Sequence, residues 1–139
     1  MAKFNWIRFS SILKKTESSS FQQIPSLLSV YRNTTFTLQD GLSEWKGDGF
    51  LCLAECDSKL LGIMRLDEHR TYMELSSFVV DSSCRGLGIG SKMLQQTQFF
   101  NKKIYLKVKQ ENEAQKLYLK EGFQIVDSCD GRYIMHKLI

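Results

Sequence analysis

The sequence predicts an α/β (α+β) fold with a mixed β-sheet, and three observations support that prediction. Two apolar segments in the middle of the chain are separated by Asp57-Ser58, a pair typical of a tight hairpin. Strand and helix patterns alternate from residue 71 to 138, which is typical of parallel strands joined by crossover helices. The 139 residues, 42% hydrophobic and 24% charged, have the size and composition of one domain spanning 1–139.

The first half of the chain predicts a strand, two helices and three further strands. Alternating side chains predict the first strand at residues 4–9. Serines at 18–20 offer N-caps for a helix with apolar residues from Phe21 to Tyr31, and Pro25 falls early in it, where a missing N–H costs least. Residues 34–49 have an ambiguous pattern, in which the spacing of Leu38, Leu42 and Trp45 is compatible with a second, short helix. The three strands are predicted at residues 50–56, 59–66 and 71–80.

The second half predicts two helices and three strands. A glycine-rich segment at residues 85–91 leads into a helix over residues 89–100. The next helix ends at Gly122, because glycine readily adopts the left-handed conformation that terminates helices. This second helix covers residues 111–121. The three strands are predicted at residues 103–109, 123–126 and 133–138, with a turn at Asp130-Gly131 between the last two.

The four cysteines are predicted to be small apolar fillers. Cys52 and Cys56 lie about 13 Å apart along one predicted strand, too far for both thiolates to bind one zinc ion. The other spacings fit no zinc ribbon, and cytosolic thiols usually stay reduced. We therefore expect no metal, and we expect Cys84 to be the exposed thiol.

Charge and hydropathy exclude several classes of partner. The 19 Lys and Arg against 15 Asp and Glu give a net charge of +4, too mild to indicate nucleic-acid binding. Apolar runs are far shorter than the roughly 18 residues that span a bilayer. The first twenty residues are basic and rich in serine, as in a transit peptide, but the strand pattern at residues 4–9 is the stronger signal. We expect a cytoplasmic protein that binds neither nucleic acid nor membrane.

The strand–loop–helix segment from Glu74 to Ser91 predicts an anion site. Glycines let the backbone approach a ligand and turn its N–H groups inward, and a helix N-terminus adds partial positive charge, which suits a pyrophosphate. A P-loop would need Gly-Lys-Ser/Thr, which Gly90-Ser91-Lys92 does not supply. A dinucleotide fingerprint would need a third glycine at position 91 and an acidic residue about 20 positions later, and both are missing.

Two segments resemble the GNAT superfamily of acetyl-CoA-dependent N-acetyltransferases. Arg85-Gly86-Leu87-Gly88-Ile89-Gly90, four residues after Val80, resembles the family's Arg/Gln-x-x-Gly-x-Gly/Ala pyrophosphate loop. Residues 114–123 are similar to its Ala-x-x-Leu-Tyr-x-x-x-Gly-Phe segment. The resemblance covers about residues 74–126. It implies a three-layer αβα fold with a central mixed sheet of about six to seven strands flanked by about four helices.

The resemblance also implies a reaction and its co-substrate. An acetyl group would pass from acetyl-CoA to the primary amine of a small molecule or protein, by direct transfer in a ternary complex. The alternative is a non-catalytic CoA-binding or regulatory module on the same fold. Exchange of the last strand between subunits is common in the family, so a homodimer is one expected assembly.

Particular residues take roles from the resemblance. Phe78, Val79 and Val80 would offer backbone groups to the pantetheine arm and the thioester, and Tyr118 would protonate the departing thiolate. Glu74, eleven residues before Arg85, matches the position of a catalytic glutamate in several members and would be the general base, the alternative being a solvated charge at a strand edge. The pyrophosphate would be held by Arg85, Gly86, Leu87, Gly88, Ile89, Gly90 and Ser91. A regular strand would give Glu74 the same face as Tyr72, Ser76 and Phe78.

The polar residues near these motifs leave further expectations. The family often has asparagine where this sequence has Glu111, so Asn112 either contacts the cofactor arm or only caps a helix. His69 lies in a polar turn and is expected to be solvated, and His136 is expected in the core or an interface. Residues 85–120 carry a net charge of +6, a local surplus that suggests CoA as the partner, with some of these lysines expected to be solvated.

Overall fold

The computed structural model describes residues 2–139 and contains one mixed sheet with helices on both sides. The strands are β1 (Lys3–Arg8), β2 (Gly49–Cys56), β3 (Lys59–Glu68), β4 (Tyr72–Val80), β5 (Lys103–Lys109), β6 (Gln124–Cys129) and β7 (Arg132–Lys137). The helices are α1 (Ser19–Gln22), α2 (Ile24–Arg32), α3 (Leu38–Glu44), α4 (Ile89–Gln95) and α5 (Ala114–Lys120). Short 3-10 segments cover Phe9–Lys14, Ser82–Cys84 and Gln96–Phe100. Within residues 2–139, no helix has the length and apolar character needed to cross a bilayer.

The sheet order is β1-β2-β3-β4-β5-β7-β6. Neighbouring strands are antiparallel except β4 and β5, which are parallel and are joined by the crossover through α4. This topology confirms the predicted mixed sheet of six to seven strands.

Each face of the sheet carries its own apolar core. Leu51 and Leu53 of β2 pack with α1, α2 and α3, whereas Cys52 and Ala54 point to the other face and pack with α4 and α5. We call these the α1–α3 face and the α4–α5 face. Because β2 is buried on both faces, its sequence is continuously apolar rather than alternating. The three-layer prediction is therefore confirmed, with five α-helices where about four were expected.

The additional helix arises at Pro25. The sequence predicts one helix from Phe21 to Tyr31, but Pro25 has no N–H and its ring crowds the carbonyl of Phe21. The chain therefore ends α1 and starts α2 on either side of Gln23. The Gln23 amide donates to the Ser58 carbonyl at 2.7 Å and accepts from the Leu60 N–H at 2.9 Å, which fixes this joint to the β2–β3 hairpin.

The two predicted hairpin turns are confirmed. Asp57 and Ser58 have φ of 49° and 65°, and Asp130 and Gly131 have φ of 52° and 75°. Positive φ at both central residues is the type I′ geometry, whose twist matches that of paired strands.

The structure corrects the expected face of Glu74. The β3–β4 register skips one residue, with Leu75 opposite Leu66 but Ser77 opposite Arg65, so Ser76 is an extra, bulged residue. A bulge reverses the alternation beyond it. Consequently Phe78 faces the α4–α5 core, while Glu74 shares the α1–α3 face with Ser77. The expectation that Glu74 and Phe78 share one face is wrong.

The expectation for the cysteines is also corrected. Cys84 is buried, because the 3-10 turn Ser82–Cys84 directs its side chain into the core on the α4–α5 face. Cys129, at the end of the edge strand β6, is the exposed thiol. Burial raises the pKa of Cys52 from 9.0 to about 12, so its reactive thiolate is scarce at neutral pH.

These environments predict a graded reaction with a thiol reagent such as 5,5′-dithiobis(2-nitrobenzoate). Cys129 should react first, and Cys52 only after unfolding. Cys129→Ser should remove the fast phase, and Cys52→Ser should leave it unchanged. A fast phase that persists in Cys129→Ser would contradict this assignment.

The pKa of Cys52 is higher in the folded protein than in the unfolded chain. Its contribution to the free energy of unfolding is therefore present below pH 9 and is lost as pH rises towards 12.

Candidate active site

The sheet opens between β4 and β5. The two strands pair only from Tyr72 to Leu75 of β4. Beyond Leu75, β4 remains paired with β3 and β5 with β7, so a wedge separates residues 76–80 from residues 107–109. We call this wedge the splay. Backbone groups of β4 that point into it have no ladder partner on β5 and are therefore available to a ligand.

The segment after β4 is held in a fixed shape by Asp81. Its carboxylate accepts hydrogen bonds from the Ser83 N–H at 2.9 Å and the Ser83 hydroxyl at 2.8 Å. The backbone hydrogen bond from Ser83 lowers the pKa of Asp81, so this carboxylate is charged at neutral pH. Gly86 and Gly88 follow with φ of 81° and 78°, a conformation that side chains rarely adopt.

The glycine-rich loop ends at the start of α4. The first hydrogen bond closing this helix runs from the Lys92 N–H to the Gly88 carbonyl at 3.1 Å. The N–H groups of residues 89–91 precede that bond and have no carbonyl partner inside the helix. A Cβ on Gly90 would lie 2.9 Å from Leu117 Cδ2 and 3.3 Å from Phe78 Cζ, so a side chain here would force those two side chains or α4 itself to shift.

The predicted cofactor residues come together around one cavity. Segments distant in sequence line a space of about 530 Å³, which we call the loop cavity. Its walls include Phe78–Val80, Arg85–Gly86, Gly88–Ser91, Asn112 and Tyr118.

Leu87 is the predicted residue that the loop cavity does not include. Its side chain is 67% exposed, and its N–H donates to the Cys84 carbonyl at 3.3 Å. Because the turn already engages this donor, the expected contact of Leu87 with the pyrophosphate stays a prediction.

Tyr118 lies at the inner wall of the loop cavity and is only 7% exposed. Its ring contacts Phe78 and Phe123, with centroid separations of 5.8 and 5.7 Å. Burial raises the pKa of Tyr118 above its ordinary value, and the nearby Tyr31 adds to the effect. The phenol is therefore a neutral hydrogen-bond donor across the physiological range.

Glu74 lies on the opposite side of the sheet from Tyr118. Together with Tyr72, Tyr105 and Lys103 it lines a cavity of about 570 Å³ on the α1–α3 face, which we call the aromatic cleft. His69 Nε2 lies 3.4 Å from Glu74 Oε1. The His69 ring stacks on Tyr72 at a centroid separation of 4.4 Å, so this histidine is not simply solvated as the sequence suggested.

A third space lies between the two. The splay cleft, about 510 Å³, shares Phe78 and Tyr118 with the loop cavity and Lys107 with the aromatic cleft. The splay cleft is thus bordered by residues of both cavities, one on each face of the sheet.

The sequence matches a protein-family model. The model of the acetyltransferase (GNAT) domain matches residues 47–125, more than half of the chain. The chain belongs to the GNAT acetyltransferase family. It is accordingly an N-acyltransferase enzyme, as the resemblance implied.

Solved structures share the GNAT fold over nearly the whole chain. They include the PaiA N-acetyltransferase of Thermoplasma acidophilum in complex with coenzyme A (TM-score 0.74, 17% identity, covering 100% of this chain and 99% of that one). An acyl-CoA N-acyltransferase from Pseudomonas aeruginosa has a TM-score of 0.72 at 20% identity, with 99% of each chain covered. Naa50 of Arabidopsis thaliana, in complex with the bisubstrate analogue CoA-Ac-MVNAL, has a TM-score of 0.68 at 21% identity, with 99% of each chain covered. No curated protein sequence matches the chain significantly.

The sequence departs from the GNAT pattern at position 111, where Glu111 replaces the family's asparagine, and Asn112 is the neighbouring residue. The helix α5 begins at Ala114 rather than at Glu111, and Asn112 Oδ1 accepts the Ala114 N–H at 2.8 Å. Asn112 therefore caps α5 while it also lines the loop cavity. This position is compatible with both roles that the sequence left open for Asn112, contact with the cofactor arm and capping of the helix.

The basic residues of the GNAT motif region do not all lie at the loop cavity. Arg85 and Lys120 line the loop cavity. Lys102 instead pairs with Glu68 at 3.2 Å and Lys116 with Glu113 at 2.8 Å. Part of the surplus charge therefore lies away from the loop cavity, as expected if some of these lysines are simply solvated, because Lys103, Lys107 and Lys109 of β5 point to the α1–α3 face.

Sequence reasoning also missed Tyr31. It was counted among the apolar residues of a helix, yet it is 53% exposed and lines both the loop cavity and the splay cleft. The helix α2 ends immediately afterwards, at Asn33 with φ of 52°. Tyr31 is the penultimate residue of α2, and no feature of the sequence around it marks it as part of the site.

Proposed function

We propose that this enzyme transfers the acetyl group of acetyl-CoA to a primary amine by direct transfer in a ternary complex. The observation that carries the proposal is the loop cavity, where the loop, the end of β4 and Tyr118 converge and which opens through the splay. In this proposal Glu74 is the general base and Tyr118 the general acid.

The residues present suit CoA. The unpaired N–H groups at the start of α4, with Arg85 beside them, provide donors and positive charge for a pyrophosphate. The open edge of β4 provides backbone groups for the amide-containing arm, and Asn112 lies further along the same cavity. The acetyl thioester supplies an electrophilic carbonyl and a thiolate leaving group. These fits support binding by Phe78–Val80, the loop residues and Asn112.

The proposed acid and the proposed base lie on opposite faces of the sheet. Tyr118, protonated because burial raises its pKa, can donate a proton on the α4–α5 side. Glu74 can accept a proton from an amine that enters on the α1–α3 side. An ordinary lysine-type amine has a pKa of about 10.4 and is mostly protonated at neutral pH, so a base is needed.

Acetylation and cofactor binding can be tested separately. Thiol release from acetyl-CoA with a panel of amines should exceed the rate without amine, and CoA should raise the melting temperature of the protein. A CoA-induced shift without turnover on any amine would instead indicate the non-catalytic module. Stabilisation by NAD but not by CoA would contradict the proposed cofactor.

Glu74→Gln should lower kcat/KM for the amine by at least about 10²-fold at pH 7. Without the base, the rate depends on the free-amine fraction, so the defect should shrink as pH approaches the pKa of the amine. The KM for acetyl-CoA should be unchanged. A pH profile of both enzymes checks this.

Asp67→Asn is the matched control for Glu74→Gln. Asp67 is the cross-strand partner of Glu74 but forms an ion pair with Arg65 at 3.0 Å, so its role is structural. It should lower stability slightly and leave the pH profile in place. Equal pH profiles for Glu74→Gln and the unmodified enzyme would rule out Glu74 as the base.

A further inference from the structure

The wall of the splay cleft on the β5–β7 side is basic. Lys107 and Lys109 lie on β5, and Arg132, the cross-strand partner of Lys109, lies on β7. All three line the splay cleft and are exposed. Because cross-strand partners and residues two apart on a strand share one face, the three charges point to the α1–α3 side.

These charges are not neutralised by neighbouring acids. Within residues 2–139, the ion pairs of the structure involve other basic residues. Arg32, which also lines the splay cleft, is bound to Glu44 at 2.9 Å, so its charge is compensated. Glu74 lines the adjoining aromatic cleft, and Asp127 of β6, the cross-strand partner of Ile134, forms no ion pair with Arg132.

The position of the charges relative to Glu74 defines a second contact for an acceptor. Glu74 is opposite Tyr105 on β5, and Lys107 lies two residues further along, about 7 Å. An amine held at Glu74 would therefore present the rest of its structure to Lys107, Lys109 and Arg132. The cleft volume of about 510 Å³ suits a small molecule.

We propose that the acceptor is a small amine that also carries an anionic group, a carboxylate or a phosphate, bound by Lys107, Lys109 and Arg132. This inference rests on the acetyl transfer proposed above and names the acceptor's chemical class. Lysine and arginine make charge-assisted hydrogen bonds to both kinds of anion. The amine nitrogen would lie towards Glu74 and the anion towards the ends of β5 and β7.

Matched amines test the proposal. Three acceptors with four-carbon chains differ only at the far end: 4-aminobutyrate is anionic, butylamine is neutral and 1,4-diaminobutane is cationic. O-phosphoethanolamine and ethanolamine form a second pair that distinguishes phosphate from carboxylate. We expect kcat/KM for the anionic member to exceed that for the neutral member by about tenfold, and the difference to shrink at high salt.

Charge reversal locates the effect. The double variant Lys109→Glu/Arg132→Glu should abolish or invert the preference, with the amine KM changed and the acetyl-CoA KM unchanged. Lys14→Glu should keep the preference, because Lys14 belongs to the Phe9–Lys14 segment, which does not line the splay cleft. If the double variant unfolds, Lys107→Gln alone should still reduce the preference several-fold.

Each other outcome overturns the proposal in a distinguishable way. Turnover with equal or higher kcat/KM for neutral or cationic amines, or for peptide amines over all free amines, contradicts the anionic class while the transferase function stands. A rise in acetyl-CoA KM in the charge-reversal variant would assign these residues to the cofactor. No turnover on any amine would remove the proposed function and this inference together.

Discussion

Tyr118→Phe is expected to lower kcat by about 10²–10³-fold with little change in acetyl-CoA affinity, because it removes the proposed proton donor while keeping the ring. The ring contacts with Phe78 and Phe123 need no hydroxyl, so the wall of the loop cavity should keep its shape. Steady-state kinetics with acetyl-CoA and an accepted amine would measure the effect, and CoA-induced thermal shifts would confirm that binding is retained.

The pH dependence sharpens this prediction. Burial keeps Tyr118 protonated well above its ordinary pKa, so kcat of the unmodified enzyme should not fall near pH 10 through ionisation of this residue. Tyr133→Phe is the matched control, since Tyr133 is also partly buried against the α4–α5 core but does not line the loop cavity. Equal kcat for Tyr118→Phe and Tyr133→Phe would make Tyr118 a packing residue.

Gly90→Val should both destabilise the protein and weaken CoA binding. Its side chain would meet Leu117 and Phe78, whose atoms already lie 2.9 and 3.3 Å from the position of a Cβ. Overpacking of this kind costs about 1–3 kcal/mol, which lowers Tm by about 3–10 °C. Because α4 would move away from α5, the N–H groups at its start would be displaced, and we expect Kd for CoA to rise at least about tenfold.

Gly41→Val separates these two effects. A Cβ at Gly41 would lie 2.5 Å from Trp45 Cη2 and 2.6 Å from Trp45 Cζ3, a crowded position outside the loop cavity. It should lower Tm comparably but leave the Kd for CoA within about twofold. Thermal unfolding and CoA titration of both variants measure this. If Gly90→Val loses stability yet binds CoA normally, the start of α4 does not contribute to the cofactor site.

Local sequence signals located most of the fold and most of the candidate site. The turns at Asp57-Ser58 and Asp130-Gly131 were predictable because few residue pairs adopt positive φ twice. The loop and the Tyr118 segment were predictable because short motifs fix both the backbone shape and the residue types. The break at Pro25 was underestimated, since an early proline is acceptable within one helix as well as between two.

The sequence did not predict relations between elements. Leu87 lies in the motif, but the turn consumes its N–H, and Cys84 is buried because the preceding turn directs it inward. Neither outcome has a signal in the residue types. Tyr31 and the basic wall of the splay cleft depend on which elements adjoin across the sheet, and periodicity within one element carries no information about that.

By itself, the sequence determined the strands, most of the helices, the glycine-rich loop and the GNAT identity, because these depend on neighbouring residues and short motifs. Only the tertiary structure decided how the acid and base candidates are arranged. One bulged residue, Ser76, reverses the alternation of β4, so Glu74 and Phe78 face opposite sides of the sheet. A bulge is set by pairing with β3, not by local composition, and the side of the sheet that a residue faces changes with each single-residue shift in register.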